Sequence, residues 1–230
     1  MTVLFKGIDH IGIGYKVFGP MPIQPKVDNL RCDKISLTID LPYHERELLK
    51  KTFKDLEKND YCKKTSKTGG YYQSYSISLQ DVLNFGIHGE KSILVQFDPH
   101  NGSYNYLRAE FNPDKASPPK VKAILDKILL NGYNRIINGK VTRFDETALI
   151  HFCEIDNLMF YMPNLQSSVT YKSSGKIETE YLGSMKAGSK KIFCIYDKTK
   201  EVMVKNAKAH PYSEEKELVP KYPIVRVEYR

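Results

Sequence analysis

Thr179–Glu201, read as TEYLGSMKAGSKKIFCIYDKTKE, holds the residues best suited to chemistry. Two apolar-aromatic runs, Tyr181–Leu182 and Ile192–Tyr196, flank a Gly- and Lys-rich connection, the pattern of a β-hairpin. Along the second run side chains alternate, so Phe193 and Ile195 point one way and Cys194, Tyr196 and Lys198 the other. A phenol and an ammonium therefore share one strand face. A nearby cation favours the phenolate and screens phosphate charge, which suits a tyrosine that attacks a phosphodiester. The plain alternative is a tyrosine that packs on a half-exposed strand, in a chain with 16 tyrosines.

Three carboxylates sit in other strand-like runs: Glu110 in LRAEF, Asp145 in TRFDE and Glu228 in RVEY. Each has basic residues two positions away on its own face: Arg108, Arg143, and Arg226 with Arg230. A strand carboxylate beside an arginine most often forms a structural ion pair. Three such acids together with Tyr-x-Lys suit a hard-cation site instead, with oxygen donors for Mg²⁺ or Mn²⁺ polarising a scissile phosphate. The arginines, with Lys190 and Lys191, are the candidate DNA contacts. No His-hydrophobe-His pair occurs among the six histidines, nor a Walker loop, a G-x-S-x-G elbow or a G-x-G-x-x-G turn. The glycine-rich Gly12–Gly19 lacks the Lys-Ser/Thr and the helix of a phosphate cradle.

The elements that must position these residues follow from periodicity. Residues 1–30 are broken by glycines and prolines and read as an irregular or edge-strand lead-in. Asp33–Leu41 alternates as a strand, and His44–Leu56 follows as a helix with Leu48, Leu49, Phe53 and Leu56 as its apolar stripe. Lys58–Thr68 is a basic loop, and Gly69–Leu79 becomes strand-like. Lys91–Phe97 and Ser103–Phe111 are strands around a Pro/Asn/Gly turn. Ser117–Leu130 is a helix with Ser117 as cap and Asn131-Gly132 as its stop. Lys140–Phe152 is a long strand, Asp156–Tyr161 a short helix, and Val169–Lys172 with Ile177–Leu182 a hairpin. Lys205–Lys221 reads as a charged surface excursion, and Ile224–Tyr229 as the last strand. The expected fold is α+β: an antiparallel sheet with helices packed on one face and the site on the open face.

The hairpin stretch YLGS…KKIFCIYDKTKE resembles the signature of rolling-circle replication initiators of the Rep_trans type, the initiators of small plasmids and some phages. It is more distantly similar to the gene II endonucleases of filamentous phages. LRAEFNPDK (Leu107–Lys115), VTRFDETA (Val141–Ala148) and IVRVEYR (Ile224–Arg230) agree with the same family in order and approximate spacing. The resemblance spans roughly Arg31 to Arg230 and makes 31–230 the expected nicking and joining domain. It implies that Tyr196 nicks origin DNA through a 5′-phosphotyrosine, assisted by Lys198, with Glu110, Asp145 and Glu228 holding Mg²⁺ or Mn²⁺. It also implies plasmid or phage origin DNA as partner, with host helicase and polymerase, and a homodimer as a further expectation. A related conjugative relaxase would use the same residues. A non-catalytic DNA-binding descendant is the other alternative.

Two departures motivate that last alternative. Where family members often carry a second acid four residues after the Asp, this chain has Leu149, with His151 two residues on as a substitute donor. Where a basic residue is usual before Ile-Tyr, it has Cys194. The resemblance also places a further specificity region beyond Arg230 in relatives.

The 230 residues suffice for a sizeable core. Thirty-five Lys+Arg against 27 Asp+Glu give a formal charge of +8, which fits a polyanionic partner or an ordinary basic enzyme. Cys32, Cys62, Cys153 and Cys194 have neither zinc nor disulfide spacing and read as reduced thiols of a cytoplasmic protein. There is no signal-peptide pattern, and no run approaches the roughly 18 apolar residues of a membrane span.

Overall fold

The computed structural model describes residues 3–4, 12–15, 25–66, 69–77, 93–161, 165, 167–183, 192–209 and 217–229. In chain order the strands are β1 (Val3–Leu4), β2 (Gly12–Tyr15), β3 (Lys26–Val27), β4 (Arg31–Ile39), β5 (Lys63–Lys64), β6 (Tyr71–Ile77), β7 (Ile93–Pro99) and β8 (Leu107–Phe111). After them come β9 (Lys140–His151), β10 (Leu158–Tyr161), β11 (Ser168–Ser173), β12 (Lys176–Leu182), β13 (Phe193–Asp197) and β14 (Ile224–Tyr229). The helices are α1 (Tyr43–Lys58), α2 (Pro118–Ile128), α3 (Gly132–Ile137) and α4 (Lys198–Lys208). The chain divides into two compact units: Met1–Arg31 with Glu146–Arg230, and Cys32–Asp145.

In the Cys32–Asp145 unit, β4, β8, β7, β6 and β5 follow one another in the sheet with every pairing antiparallel. Alternation sorts their side chains. Ile35, Leu37 and Ile39 of β4, Val95 and Phe97 of β7, and Leu107 and Ala109 of β8 face a single core. Leu49, Phe53 and Leu56 of α1 and Val121, Ile124, Leu125 and Ile128 of α2 close it, so the helices gather on one face. The unit is α+β, as the periodicity predicts.

The other unit has its own core. Its sheet runs β11-β12-β13-β14-β9, again antiparallel, and β3 also pairs with β9. Ala148, Ile150, Phe193, Ile195, Val225 and Val227 point to one side, where Cys153, Ile155 and Leu158 cover them. A small sheet, β1-β2-β10, completes this unit.

Five expectations are corrected. Leu48 is not in the α1 stripe: it is 61% exposed, because it lies a full 100° around the helix from Leu49. Ser117 precedes α2 but makes no side-chain cap, since the second helical residue is Pro119, which has no N–H, and the Lys120 N–H goes to the Ser117 carbonyl instead. Asp156–Tyr161 is a single 3₁₀ turn (Ile155–Asn157) followed by β10, whose Leu-Met-Phe-Tyr run pairs with β2. Lys198, expected on the strand face, and Lys205–Lys208, expected as the start of the surface excursion, belong to one helix, Lys198–Lys208, with Val202 buried. Strand β8 begins at Leu107 rather than Ser103, the turn before it being longer than the Pro/Asn/Gly signal alone suggests. At the end of α2, Asn131 takes φ 52° and a Cβ on Gly132 would stand 2.1 Å from the Leu125 carbonyl oxygen, so the Asn-Gly stop is enforced by close approach. The connection carrying Lys190 and Lys191, the outer ends of the 69–79 and 91–97 runs, and Arg230 lie outside the described residues.

Candidate active site

Tyr196 stands on the side of its sheet opposite the core. The register aligns it with Arg226 on β14 and with Thr179 on β12, while Cys194 aligns with Glu228 and Tyr181. Residues directly opposite in antiparallel strands share a face, so Tyr196, Arg226, Glu228, Thr179 and Tyr181 form one surface. The Tyr196 hydroxyl donates to Glu228 Oε1 at 2.9 Å. Arg226 Nε lies 3.0 Å from the same oxygen. The cluster is a phenol, a carboxylate and a guanidinium in contact.

Burial and the Glu228 charge push the Tyr196 phenol above the ordinary tyrosine range, and Arg226 opposes them only in part. The resting phenol is therefore protonated, with a proton acceptor already in place. The expectation that Lys198 stands beside it on the strand is corrected. Asp197 ends β13 and accepts the Lys200 N–H at 2.9 Å, capping α4, so Lys198 is the first helical residue. Its ammonium pairs with Glu201 at 2.6 Å and Glu217 at 3.7 Å.

In the Cys32–Asp145 unit, Glu110 accepts from the Ser36 hydroxyl at 2.6 Å and from Arg108 Nη2 at 2.6 Å, with Lys34 Nζ at 3.4 Å. Burial raises the Glu110 carboxyl, but Ser36, Lys34, Arg108 and Arg143 outweigh it and hold it below its usual value. Asp145, 3% exposed, is gripped by Arg143 through Nε at 2.8 Å and Nη2 at 2.6 Å. Tyr196, Arg226 and Glu228 belong to one unit, and Arg108, Glu110, Arg143 and Asp145 to the other.

The donor type of the three acids is right for a hard cation, since all are carboxylate oxygens. Each is nevertheless engaged by an arginine: Arg108 on Glu110, Arg143 on Asp145, Arg226 on Glu228. Among the described residues no group of three or more His, Cys, Asp and Glu side chains is assembled to hold a metal. The arginines expected as DNA contacts are thus carboxylate partners in this state.

Both departures acquire a physical reading. Leu149 aligns with Arg226, so an acid there would compete with Glu228 for that guanidinium. Cys194, 4% exposed, aligns with Glu228, so a neutral thiol stands where a basic residue would face that carboxylate. His151 places its Nε2 3.0 Å from Asp28 Oδ2, while its buried Nδ1 has no hydrogen-bond partner among the described residues. Sequence reasoning missed Ser36, Asp28 and α4. Ser36 lies on β4 and Asp28 just past β3, each far in sequence from its partner, so periodicity does not show either contact. The third had a signal in Asp197 followed by eleven residues without Gly or Pro. A groove of about 430 Å³ is lined by Tyr196, Thr179 and Glu178 and by Lys200, Val204 and Lys208 of α4.

The class defined by these observations is an α+β protein with a tyrosine–carboxylate–arginine cluster on a sheet face. No known family's sequence profile matches the chain, and no curated protein matches it. Among solved structures it is similar to the rolling circle replication initiator protein from Geobacillus stearothermophilus, at 9% identity and a TM-score of 0.42. That likeness covers 90% of this chain and 74% of the other. Similarity at this level stands beside the geometry without adding to it.

Proposed function

We propose that the chain is a rolling-circle replication initiator that nicks and rejoins origin DNA through Tyr196. The observation that carries this reading is the 2.9 Å hydrogen bond from the Tyr196 hydroxyl to Glu228, on the face whose motifs resemble those initiators. In the nicking step the phenolic oxygen forms a bond to phosphorus and the bond to the 3′ oxygen breaks. The phenolic proton passes to Glu228, and the departing 3′ oxygen takes a proton from solvent water to become a free 3′-OH. Rejoining is the reverse, with a 3′-OH attacking the phosphotyrosine. Arg226, freed from Glu228 as that carboxylate is protonated, is placed to meet phosphate charge.

A Mg²⁺ or Mn²⁺ ion, for which the resemblance implies carboxylate ligands, would supply Lewis-acid polarisation of the scissile phosphate. An acid that exchanged its arginine for the ion would release that guanidinium to become a DNA contact. A conjugative relaxase using the same residues acts by the same step. The arginine pairing and the raised phenol favour one second reading, a DNA-binding protein without catalysis.

The deciding experiment incubates the protein and its Tyr196→Phe variant with single-stranded oligonucleotides tiling the DNA around its own reading frame, with Mn²⁺ or with chelator. A phosphotyrosyl bond survives a denaturing gel, whereas ionic contacts do not. The expected result is a conjugate that maps to the Tyr196 peptide, is absent from Tyr196→Phe, and disappears with chelator. A conjugate formed equally in chelator removes the metal from the proposal. A salt-sensitive complex with no conjugate on any oligonucleotide establishes the non-catalytic reading.

A further inference from the structure

The Tyr196 face does not end at Tyr196. Thr179 on β12 aligns with Tyr196, and Tyr171 on β11 aligns with Thr179, so the three form a row across adjacent strands. In the neighbouring row Tyr181 aligns with Cys194 on one side and Val169 on the other. With strands about 4.8 Å apart, Tyr171 lies roughly 10 Å outboard of Tyr196 on the same face. Every residue of β11 is exposed, and Tyr171 is 53% exposed. Its ring meets Tyr181 edge to face, with centroids 6.0 Å apart and planes at 83°. Two strands of this hairpin thus hold out a fixed aromatic pair that the unit's core does not use.

Tyr171, 53% exposed and held edge to face against Tyr181, presents an accessible aromatic ring on which a nucleobase can stack. The groove beside Tyr196 lies between β12 and β13 on one side and α4 on the other, and exposed Lys208 lines it. We propose that Tyr171 and Tyr181 form a stacking subsite for bases of the single-stranded DNA next to the phosphate that Tyr196 attacks. The inference rests on the nicking reading for its register, and continuity of the face with Tyr196 is what selects DNA as the occupant. Stacking is tolerant of sequence, so the subsite holds the strand in line without reading it.

The test uses the full chain carrying Tyr196→Phe, which binds without reacting, and single-stranded oligonucleotides with 2-aminopurine at successive positions. Binding is expected to quench the probe at one or two adjacent positions. Tyr171→Ala in that background should weaken binding about tenfold and abolish the quench, with the salt dependence unchanged because no charge is removed. Tyr171→Phe should restore both, since the ring is what stacks. Tyr171 is an exposed edge-strand residue, and unchanged circular dichroism of each variant checks the fold. Wild-type affinity and quench in Tyr171→Ala would overturn the subsite, whether or not Tyr196 forms its conjugate. Loss of the quench in a protein that forms no conjugate would keep the subsite and remove nicking.

Discussion

At the scale of the residue, Tyr196 is defined by what surrounds its hydroxyl. Glu228 accepts its proton at 2.9 Å, and burial with that negative charge raises its pKa. The consequence for stability has a definite sign. Below about pH 10, the ordinary tyrosine value, the phenol is neutral folded or unfolded, and its share of stability is fully present. As pH rises beyond that value the unfolded chain ionises first, so the share is progressively lost toward the higher folded pKa. Denaturant melts from about pH 9 to 11 should show wild type losing more stability than Tyr196→Phe, which cannot ionise. Equal losses would mean that the phenol is not held neutral by this site. Glu228→Gln keeps the shape of the cluster but removes the base, and conjugate formation should fall by about 10²–10⁴-fold.

At the scale of the element, α4 decides what the tyrosine has for company. Because Asp197 ends the strand and caps α4, Lys198 turns toward Glu201 and Glu217. Loss of an Asp cap costs about 1 kcal/mol. Asp197→Ala should lower the unfolding free energy by that amount in urea titrations, and Asp197→Asn, which keeps an acceptor, should lose much less. Equal effects of the two would mean that the Lys200 N–H bond contributes nothing. The register of β12, β13 and β14 matters as much, since a slip of one residue would turn Tyr196, Arg226 and Glu228 into the core and bring Ile195 and Val227 out.

At the scale of the molecule, the formal charge of +8 is spread along the chain, and many of its cations are already paired with carboxylates. Single-stranded DNA binding should therefore weaken linearly in log–log plots against salt, with a slope reporting only the cations that exchange a carboxylate for phosphate. Removing one such cation, as in Arg226→Ala, should reduce that slope by about one. A slope unchanged by it would leave Arg226 a partner of Glu228 alone. Among the described residues no helix is long and apolar enough to cross a membrane.

The sequence by itself determined the local grammar of this protein. Alternation in Phe193–Asp197 and Ile224–Tyr229 put Tyr196 and Glu228 away from the core, because a strand has only two faces. The 3.6-residue period of Val121, Ile124, Leu125 and Ile128 likewise gave α2 its buried side. The tertiary structure alone decided partners. Whether Glu228 meets Tyr196, whether Arg226 serves phosphate or carboxylate, and whether Tyr171 reaches the row of Tyr196 all depend on strand register. Within the β11–β12 hairpin the turn fixes the register locally, but the pairings of β13 with β14 and of β14 with β9 join segments far apart in the chain, where no local pattern records them.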